Sequence, residues 1–571
     1  MADKKQIVRL LETIAIYMEL MGENPFKISA FRKAAIALEK DERSLEQVKD
    51  YTSISGIGKG TASVIEEFIL VGESKLLNEL KDQVPSGLIP LLQLPSLGGK
   101  KIAKLYKELA ITNVEELKAC CEQGKVANLT GFGKKTEEKI LQAILDIGNQ
   151  PHRLPIAAVL PVVEYVESYL SSIKEIERFS KAGSLRRVED TVKDLDFVIA
   201  TKSPDQVKDK LLAMKGIKDI ISKGNTKVSI VVEGDFGLSI DFRLVTMAEF
   251  ATTLHHFTGS KDHNVRMRQI AKDRQEKISE YGVEDIESGE VRTFENEKAF
   301  YQHFDLPYLP PEIRMDGKEI DIFNKECGLI EMDDIKGDLH MHTTWSDGAH
   351  TLEEMIQACI QKGYAYMAIT DHSQYLKVAN GLTKDRVLKQ KDEIAKLQEK
   401  YPEIHIFSGI EMDILPDGSL DYEDDVLKEL DFVIASIHSS FQQPTKKIMN
   451  RLKNALANPF VDLIAHPTGR IIGRRSGYEI DLDMLVELAA ETETALELNA
   501  NPNRLDLQYE SIRKAKQAGV QLCINTDAHH KASLAFMDIG VAYGRKGWLD
   551  RSDVINAMSK ESLIQYLKKN R

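Results

Sequence analysis

The chain has 571 residues, of which 42% are hydrophobic and 29% charged, and its net charge is −13. This length exceeds what one hydrophobic core supports, so we expect about three or four domains of a soluble protein. The acidity excludes binding of nucleic acid by a uniformly basic surface. No stretch of about 18 apolar residues occurs and the N-terminus lacks an apolar signal segment, so we expect a cytoplasmic location and no membrane contact.

Charge is distributed unevenly along the chain. Residues 1–150 carry 21 basic and 21 acidic groups, residues 151–335 carry 26 and 34, and residues 336–571 carry 29 and 34. The acidic excess therefore lies where metal sites would need carboxylates, and any DNA contact must come from local basic and glycine-rich features. The five cysteines have no metal-binding spacing, so we expect reduced thiols.

The first 150 residues contain one motif three times. A glycine turn between two helices lets backbone N–H groups at the next helix start approach a phosphate closely. A lysine after the turn adds charge without reading bases. The copies are ISGIGKGTASVIEEF (54–68), LPSLGGKKIAKLYKEL (94–109), in which Ser96 replaces the first glycine, and LTGFGKKTEEKIL (129–141).

This repeat resembles the helix-hairpin-helix motif of non-specific DNA-binding proteins, although ordinary tight turns with solvated lysines would have a similar pattern. We predict a helical DNA-binding domain over residues 1–90 and a fingers-like domain over residues 91–150. The predicted contacts to the DNA backbone are Gly56, Gly58, Lys59, Gly98, Lys100, Gly131, Gly133 and Lys134.

Residues 151–250 alternate apolar strands with helical stretches, which predicts an α/β domain. Asp194 and Asp196 in KDLDFVI alternate along one strand and so share a face. A third aspartate, Asp241, lies in LSIDFRLV, which we interpret as a neighbouring strand. Three carboxylates on adjacent strands can hold two Mg²⁺ or Mn²⁺ ions, which align a 3′-hydroxyl with a triphosphate.

A phosphate-binding turn precedes these aspartates. Gly183 and Ser184 can cradle phosphate oxygens through a backbone N–H and a hydroxyl, and Arg187 offers a forked guanidinium. A Gly-Ser pair, an Asp-x-Asp pair and a later strand aspartate, in this order, are typical of nucleotidyltransferases. We therefore predict a nucleotidyltransferase palm over residues 151–250.

The segment HHFTGSKDHNVRMR (255–268) resembles the nucleotide pocket of family X DNA polymerases, and NPFKISAFRKAA (24–35) resembles their small amino-terminal domain. The resemblance covers residues 1 to about 315 and implies a thumb-like domain over residues 251–318 that binds nucleotide and template. Matched by position, five further residues would make these contacts: Arg153 to the triphosphate, Phe257 and Gly259 to the sugar, Asn264 to the base in the minor groove, and Arg268 to the template.

Two positions depart from the family pattern. His256 replaces the family's tyrosine before Phe257, so discrimination between sugars can differ. In the first hairpin, Val64 stands where the family has the lysine that forms a Schiff base, and neither Lys59 nor Lys27 matches that position. Because a lyase needs an amine nucleophile, we expect 5′-deoxyribose-phosphate lyase activity to be absent or weak.

An acidic segment precedes the last part of the chain. Residues 305–335 contain a Pro-Pro pair, three basic and nine acidic residues, and we interpret residues 319–335 as a linker. Over residues 336–571, short apolar strands recur between helical segments, which predicts parallel β/α units. The seven strands are KGDLHMH, YAYMAITDH, HIFSGIEMD, DFVIASIH, VDLIAHP, ALELNA and VQLCINTDAH.

Potential metal ligands stand at the ends of these strands, where a (β/α) barrel places its active site. Each could by itself be a hydrogen-bonded core residue. Nine such residues suggest two or three metal ions bridged by a carboxylate, because four or five ligands complete one site. The candidates are His340, His342, Asp347, His372, Glu411, His438, His466, Asp527 and His529.

This set resembles the PHP (polymerase and histidinol phosphatase) domain, a phosphoesterase family with a distorted (β/α)7 barrel, and all nine of its ligand positions are filled here. The resemblance implies two or three divalent ions, usually Mn²⁺, Zn²⁺ or Fe²⁺. Arg470 and Arg474 could bind a substrate phosphate or lie in a solvated loop.

Family X sequence joined to a PHP domain resembles the bacterial and archaeal branch of that family. The resemblance implies short-gap filling in base excision repair, a 3′–5′ exonuclease, and apurinic-site or 3′-end processing. The partners would be primer–template or gapped DNA and deoxynucleoside triphosphates; we expect a monomer, and no segment for binding another protein is evident.

Two alternatives remain open at this point. In one, the chain is a PHP nuclease whose front half only binds DNA, and the cluster of three aspartates counts against it. In the other, the PHP domain is a structural brace for a polymerase. Nine ligand positions count against that reading, because a structural metal usually needs about four ligands.

Overall fold

The computed structural model describes residues 4–40, 50–88, 97–149, 153–233, 237–323 and 328–567, together with positions 45, 48, 91 and 94. Ser96 and Cys327 lie outside the described residues. Contacts divide the chain into two compact units, Met1–Pro151 and His152–Arg571. Across the described ranges, every helix is too short or too polar to cross a membrane.

The first unit is helical, as the sequence predicts. Its helices bury apolar faces in two hydrophobic cores, one around Leu11 and Ile65 and the other around Ile102 and Ile140. The helices are α1 (Lys4–Leu20), α2 (Pro25–Lys40), α3 (Lys59–Val71), α4 (Lys75–Gln83), α5 (Gly99–Leu109), α6 (Val114–Glu122) and α7 (Lys134–Asn149).

The second unit begins with an α/β palm. Its five-stranded sheet has the order β2-β4-β7-β6-β5, in which β4 and β7 are parallel and the other pairs antiparallel. The elements are β1 (Leu154–Pro155), α8 (Ile156–Ser171), β2 (Arg178–Lys181), α9 (Gly183–Arg186), β3 (Thr191–Val192), β4 (Asp194–Ala200), α10 (Pro204–Leu212), β5 (Ile217–Lys223), β6 (Lys227–Val232) and β7 (Ser239–Val245).

The thumb-like part follows, with its own core around Met267, Phe300 and Tyr301. Its small antiparallel sheet has the order β10-β9-β8. The elements are α11 (Phe250–Thr258), α12 (Lys261–Asp273), β8 (Glu276–Ile278), β9 (Val283–Asp285), β10 (Val291–Arg292), α13 (Glu297–His303) and α14 (Glu319–Ile322).

The segment that the sequence marks as a linker begins inside this core. Glu319 is buried and lies 2.5 Å from Nδ1 of His263. Ile330 and Ile335 are buried further along, and residues 324–327 lie outside the described residues. Burial of a charged residue requires a partner, and the partner here belongs to the thumb-like part. The structure thus packs the first residues of 319–335 against the preceding elements.

The rest of the second unit is a parallel β/α barrel, as predicted. The strands are β11 (Gly337–Asp338), β12 (Tyr366–Ile369), β13 (His405–Asp413), β14 (Phe432–Ser436), β15 (Leu463–Ile464), β16 (Ala495–Asn499) and β17 (Leu522–Asn525). The helices are α15 (Leu352–Gln361), α16 (Lys384–Lys400), α17 (Asp424–Leu427), α18 (Thr445–Leu456), α19 (Leu482–Thr492), α20 (Tyr509–Gln517), α21 (Met537–Lys546) and α22 (Lys560–Leu567).

The seven strands pair in chain order, and a parallel bridge between Met341 and Ala528 joins the two ends of the sheet. The backbone N–H of His342 also donates to the Ala528 carbonyl at 2.9 Å. The sheet is therefore nearly closed, which brings the carboxyl ends of all its strands around one opening.

One hydrophobic cluster runs through both the palm and the barrel. It contains Val163 of α8 and Phe197 of β4 together with Leu498 and Ile524 of the barrel, all nearly or fully buried. A shared core of this kind joins two domains more firmly than a polar contact would.

Candidate active sites

The two strands predicted to carry the polymerase aspartates lie side by side. In the parallel pair β4–β7, Asp196 and Asp241 are register partners, and Asp194 precedes Asp196 by two residues on the same face. All three side chains are partly exposed. The structure thus brings the three predicted carboxylates together.

Negative charge is crowded at this point. Burial, together with the neighbouring carboxylates of Asp194 and Asp241, raises the pKa of Asp196 to about 6. Divalent cations would relieve this repulsion, and clustered carboxylate oxygens are the donors that Mg²⁺ and Mn²⁺ prefer. The donor set therefore fits a site for divalent ions.

The predicted phosphate-binding turn packs directly against Asp196. Gly183 has φ +60°, and a Cβ at this position would overlap the Asp196 carboxylate. Glycine is needed for both reasons, the left-handed backbone and the close approach. Ser184 follows in the short helix α9 and is half-buried. This contact ties the turn to the carboxylates in one local unit.

Arg187 links the turn to the segment that resembles the nucleotide pocket. Its Nη1 donates to the carbonyl of Thr258 at 2.5 Å. Next to it, Phe257 lies under the guanidinium of Arg243, 4.3 Å from the ring centre, and Gly259 ends α11 with φ +71°. The residues expected to contact phosphate and sugar therefore converge from two different elements.

Three further residues are expected to contact the nucleotide or the template, namely Asn264, Arg268 and Arg153. Nδ2 of Asn264 donates to the His256 carbonyl at 2.8 Å, and its Oδ1 is buried without a hydrogen-bond partner in the described part of the chain. Arg268 is exposed on α12. Arg153 is exposed and donates to Oγ1 of Thr191 at 2.9 Å. An exposed guanidinium remains accessible to DNA or a triphosphate.

Two cations near the aspartates were missed in the sequence. Nζ of Lys227 on β6 lies 2.6 Å from the Asp241 carboxylate. The positive charge of Arg243 acts on Asp196 in the opposite direction to burial and the neighbouring carboxylates, and lowers its pKa. Arg243 follows Asp241 by two residues, so strand alternation could have found it. Lys227 comes from a separate strand and gives no such signal.

The nine predicted ligands of the barrel lie in one cluster. Its atoms form three groups of three or four ligands, with the atoms of each group within 4.8 Å of one another, and His342 and His372 belong to two groups each. The groups are His342, Asp347, His372 and His529; His340, His342 and Asp527; and His372, Glu411 and His438. Overlapping groups of this kind suit two or three ions that share ligands.

Glu411 lies at the centre and brings in the ninth residue. One of its oxygens lies 2.9 Å from Nε2 of His466 and 3.3 Å from Nε2 of His438. The other lies 2.9 Å from Nδ1 of His372 and 3.4 Å from Nε2 of His340. A carboxylate whose two oxygens face different histidines can bridge metal ions.

The electrostatics of the cluster also fit metal ions. Burial alone would raise the pKa of Glu411, but His438, His340 and His372 hold it well below its usual range. Burial would likewise lower the pKa of His438, yet Glu411 and Asp413 raise it to about 10. Divalent cations would replace the protons that these histidines carry, because an imidazole nitrogen binds a metal only when it has lost its proton.

Unsatisfied buried nitrogens give an independent test of fit. Nε2 of His340 and both ring nitrogens of His342 are buried without a hydrogen-bond partner within the described residues. Buried polar atoms normally have partners, and a ring nitrogen facing a carboxylate is a potential metal ligand. The residues present therefore fit a cluster of divalent ions.

Glu497 was missed in the sequence. Its carboxylate accepts from Nδ1 of His340 at 2.7 Å and from the backbone N–H of His466 at 2.7 Å. Asn525 donates to it as well, at 3.1 Å. Because Nδ1 of His340 is engaged, Nε2 faces the cluster, which is how outer carboxylates orient metal-binding histidines. Glu497 belongs to ALELNA, the strand that we credited with no ligand.

Backbone strain accompanies two of the ligands. His466 has φ +29° and Asp527 has φ +53°, a region that residues other than glycine rarely adopt. Such conformations persist where surrounding contacts hold them, and they concentrate at functional sites.

Of the two arginines after the fifth barrel strand, Arg470 differs from both possibilities that the sequence left open, whereas Arg474 is compatible with either. Arg470 is buried and lies 2.8 Å from the Asp190 carboxylate of the palm, whereas Arg474 is exposed. Arg504, which we did not single out, has its Nε 3.6 Å from Asp527. Its guanidinium therefore lies at the edge of the ligand cluster.

In the first unit, each predicted glycine turn leads into a helix N-terminus. The middle residues of the turns, Ile57, Leu97 and Phe132, are buried and anchor them. α3, α5 and α7 begin at Lys59, Gly99 and Lys134. The glycines and lysines predicted to contact DNA are exposed: Gly56, Gly58, Lys59, Gly98, Lys100, Gly131, Gly133 and Lys134. Free N–H groups at a helix start and a nearby lysine suit a phosphate.

Comparison with known families assigns most of the chain. The family described as DNA polymerase beta thumb matches residues 253–315, and the PHP domain matches residues 338–501. A helix-hairpin-helix domain matches residues 2–74, and a SAM-like helix-hairpin-helix tandem matches residues 88–146. Hairpins, a polymerase thumb and a PHP barrel in one chain define a DNA polymerase class with a second, hydrolytic domain.

Individual relatives narrow this class. The chain is 60% identical over 567 residues to the DNA polymerase/3′-5′ exonuclease PolX of Bacillus subtilis (strain 168). The matched region covers 99% of this chain and 100% of that protein. The chain therefore belongs to the family of that polymerase. It is also 32% identical over 204 residues to a probable phosphatase of Thermoanaerobacter sp. (strain X514), covering 34% of this chain and 78% of that protein.

Proposed function

We infer that this chain is a family X DNA polymerase that fills short gaps during DNA repair and carries a 3′–5′ exonuclease in its PHP barrel. The observation that carries this conclusion is the presence of two separate carboxylate centres in a chain similar along its whole length to a polymerase/exonuclease. One centre suits nucleotidyl transfer and the other suits hydrolysis of a phosphodiester.

At the palm, Asp194 and Asp196 would hold Mg²⁺ or Mn²⁺, and Asp241 would orient or deprotonate the primer 3′-hydroxyl. The ions would supply the positive charge that aligns this hydroxyl with the triphosphate. Nucleotide binding would come from residues of the turn and the thumb-like part, namely Arg153, Gly183, Ser184, Arg187, Phe257, Gly259, Asn264 and Arg268. The assignment is supported by the packing of Gly183 against Asp196 and by the hydrogen bond from Arg187 to the Thr258 carbonyl, next to Phe257 and Gly259.

At the barrel, the nine clustered residues would hold two or three divalent ions, Mn²⁺, Zn²⁺ or Fe²⁺. The ions would supply a nucleophilic water at neutral pH and charge to stabilise the phosphate. Glu411 would help to hold them through both of its oxygens, which face different histidines. Glu497 would keep Nε2 of His340 directed at the cluster. Such a centre could also process 3′ ends or apurinic sites.

The hairpins of the first unit would hold the duplex by its phosphates. Val64, at the position of the family's Schiff-base lysine, is buried in a hydrophobic core. Without an amine there, we expect no covalent adduct when the protein is incubated with a 5′-deoxyribose-phosphate end and borohydride. Efficient trapping of the protein on that DNA would contradict this expectation.

The principal experiment uses a one-nucleotide-gapped duplex with a 5′-labelled primer and Mn²⁺. With the complementary deoxynucleotide the primer should lengthen, and without it the primer should shorten. Asp194→Asn with Asp196→Asn should abolish lengthening only, and His340→Asn with His342→Asn should abolish shortening only. Shortening under both conditions in the unmodified protein would favour a nuclease whose front half only binds DNA.

A further inference from the structure

The short stretch Arg187–Thr191, which we call the return segment, leads from the phosphate-binding turn to β3. It begins with Arg187, expected to contact the triphosphate, and ends at Thr191, which accepts a hydrogen bond from Arg153. Val188 within it has φ +50°. A segment with strained backbone needs external contacts to hold its shape.

The barrel supplies such a contact through Lys546 at the end of α21. This side chain is fully buried, and its Nζ lies 2.8 Å from the Glu189 carboxylate. Nζ also donates to the carbonyls of Arg187 and Val188 at 3.3 and 3.4 Å. A buried ammonium that meets one carboxylate and two carbonyls is well satisfied, so the geometry around it is held firmly.

A second barrel contact holds the next residue. The hydroxyl of Tyr543 donates to one oxygen of Asp190 at 2.7 Å, and Arg470 donates to the other at 2.8 Å. Arg470 also donates to the Tyr543 hydroxyl at 3.3 Å. The barrel therefore engages two successive carboxylates of the return segment with three fully or nearly buried side chains.

These contacts reach the nucleotide pocket through one shared carboxylate. Glu189 lies between Lys546 and Arg187, with its second oxygen 3.4 Å from Nε of Arg187. The same guanidinium donates to the carbonyl of Thr258, next to Phe257. A chain of charge-assisted contacts thus runs from the barrel to the guanidinium expected at the triphosphate.

We propose that Lys546 and Tyr543 of the PHP barrel are positioning residues of the polymerase site, holding the return segment so that Arg187 meets the incoming triphosphate. This inference rests on the proposed polymerase function. The barrel has a second role in nucleotide binding, apart from its own hydrolytic centre. Lys546 acts through Glu189 and Tyr543 acts through Asp190, the carboxylates that they contact.

The test measures kcat and KM for the complementary deoxynucleotide on a one-nucleotide gap, and exonuclease rate on the same primer without nucleotide. The variants are Lys546→Met and Tyr543→Phe, and the control is Lys514→Met, which removes an exposed lysine whose Nζ is 2.7 Å from Asp483. We expect KM to rise about 2- to 30-fold, the range of couplings carried by packed networks. The change in kcat should be smaller, and exonuclease should be unaffected.

Several outcomes would overturn the proposal. An unchanged KM in Tyr543→Phe and Lys546→Met, with an active parent protein, would do so. If Lys546→Met fails to fold, Tyr543→Phe decides, because it removes only one hydroxyl. A parallel loss of polymerase and exonuclease activity in Tyr543→Phe would also overturn it, because such a loss indicates general destabilisation and not positioning of Arg187. Failure of the parent protein itself to extend the primer would refute the proposed polymerase function rather than this coupling.

Discussion

At the scale of single residues, the barrel centre depends on which nitrogen each imidazole presents. His340 is fully buried, and its Nδ1 is engaged by Glu497, so only Nε2 can face Glu411 and Asp527. Because a neighbouring carboxylate fixes both ring orientation and proton position, it tunes metal binding without contacting the metal.

We therefore expect Glu497→Gln to weaken the exonuclease by about 10- to 100-fold and to lower bound metal in parallel. The amide can still accept a hydrogen bond but carries no charge to support an electron-rich imidazole. Metal content by mass spectrometry and primer shortening would measure this, with Glu491→Gln, an exposed residue on α19, as the control. Wild-type metal content and exonuclease rate in Glu497→Gln would disprove the role.

At the scale of elements, a turn and two strands combine to make the proposed polymerase site. Gly183 approaches the Asp196 carboxylate so closely that any Cβ would overlap it, and its φ of +60° is itself unfavourable for other residues. The turn and β4 therefore fit together only with glycine at this position.

Gly183→Ala should lower gap filling by about 100-fold, because displacement of reacting groups by about 1 Å has effects of this size. Gly216→Ala is a matched control, since Gly216 also has positive φ (+79°) but nothing lies within 4 Å of its Cβ position. Primer extension would be measured for both variants. Equal loss in the two would show that backbone strain, and not the overlap with Asp196, limits activity.

The helix starts of the first unit provide a second test at this scale. Each of the three glycine turns is followed by a lysine at the first or second position of the next helix, namely Lys59, Lys100 and Lys134. If each lysine neutralises one phosphate, replacing it by alanine should reduce the slope of log K against log salt by about one. Lys75→Ala is the control, because Lys75 opens α4 directly after a serine N-cap, Ser74, and not after a glycine-hydrophobic-glycine turn.

Duplex affinity measured over a range of salt concentrations would give these slopes. A slope unchanged in all three hairpin variants would exclude these turns as phosphate contacts. A slope that also changes in Lys75→Ala would indicate that the net charge of the domain, and not the position of a lysine after a glycine turn, controls DNA binding.

At the scale of the whole molecule, buried ion pairs join the palm, thumb-like part and barrel. Glu297 of α13 lies 2.7 Å from buried Arg314 and 2.5 Å from Arg186 beside the phosphate turn. Burial alone would raise the pKa of Glu297, but Arg314 and Arg186 lower it from 4.5 to about 2. The folded state therefore binds this proton less tightly than the unfolded state does.

The stabilisation from Glu297 is consequently complete above pH 4.5 and is lost as pH falls towards 2. Glu297→Gln should lower the free energy of unfolding by about 3–5 kcal/mol near neutral pH, since it leaves Arg314 buried without its partner. The difference from the parent protein should shrink below pH 4.5. Denaturant unfolding at several pH values would measure this, with exposed Glu295→Gln as the control; a pH-independent difference would contradict it.

Much of the site was predictable because its signals are local. Strand alternation places Asp194 with Asp196 and His340 with His342, and ligands at strand ends must meet when parallel strands form a barrel. Lys227 and Glu497 gave no comparable signal, since their role depends on which side chain stands opposite them.

The sequence by itself determined the order of domains, the helical hairpins, the seven-stranded barrel and the residues clustered at its opening, because short-range pattern and strand direction control these features. Only the tertiary structure decided that Glu497 orients His340, 157 residues away, and that Arg470 pairs with the palm at Asp190. It also decided that Lys546 of the barrel contacts Glu189, in the loop beside the proposed polymerase site. Such pairs form between segments far apart in the chain, so their contacts exist only after the domains have packed.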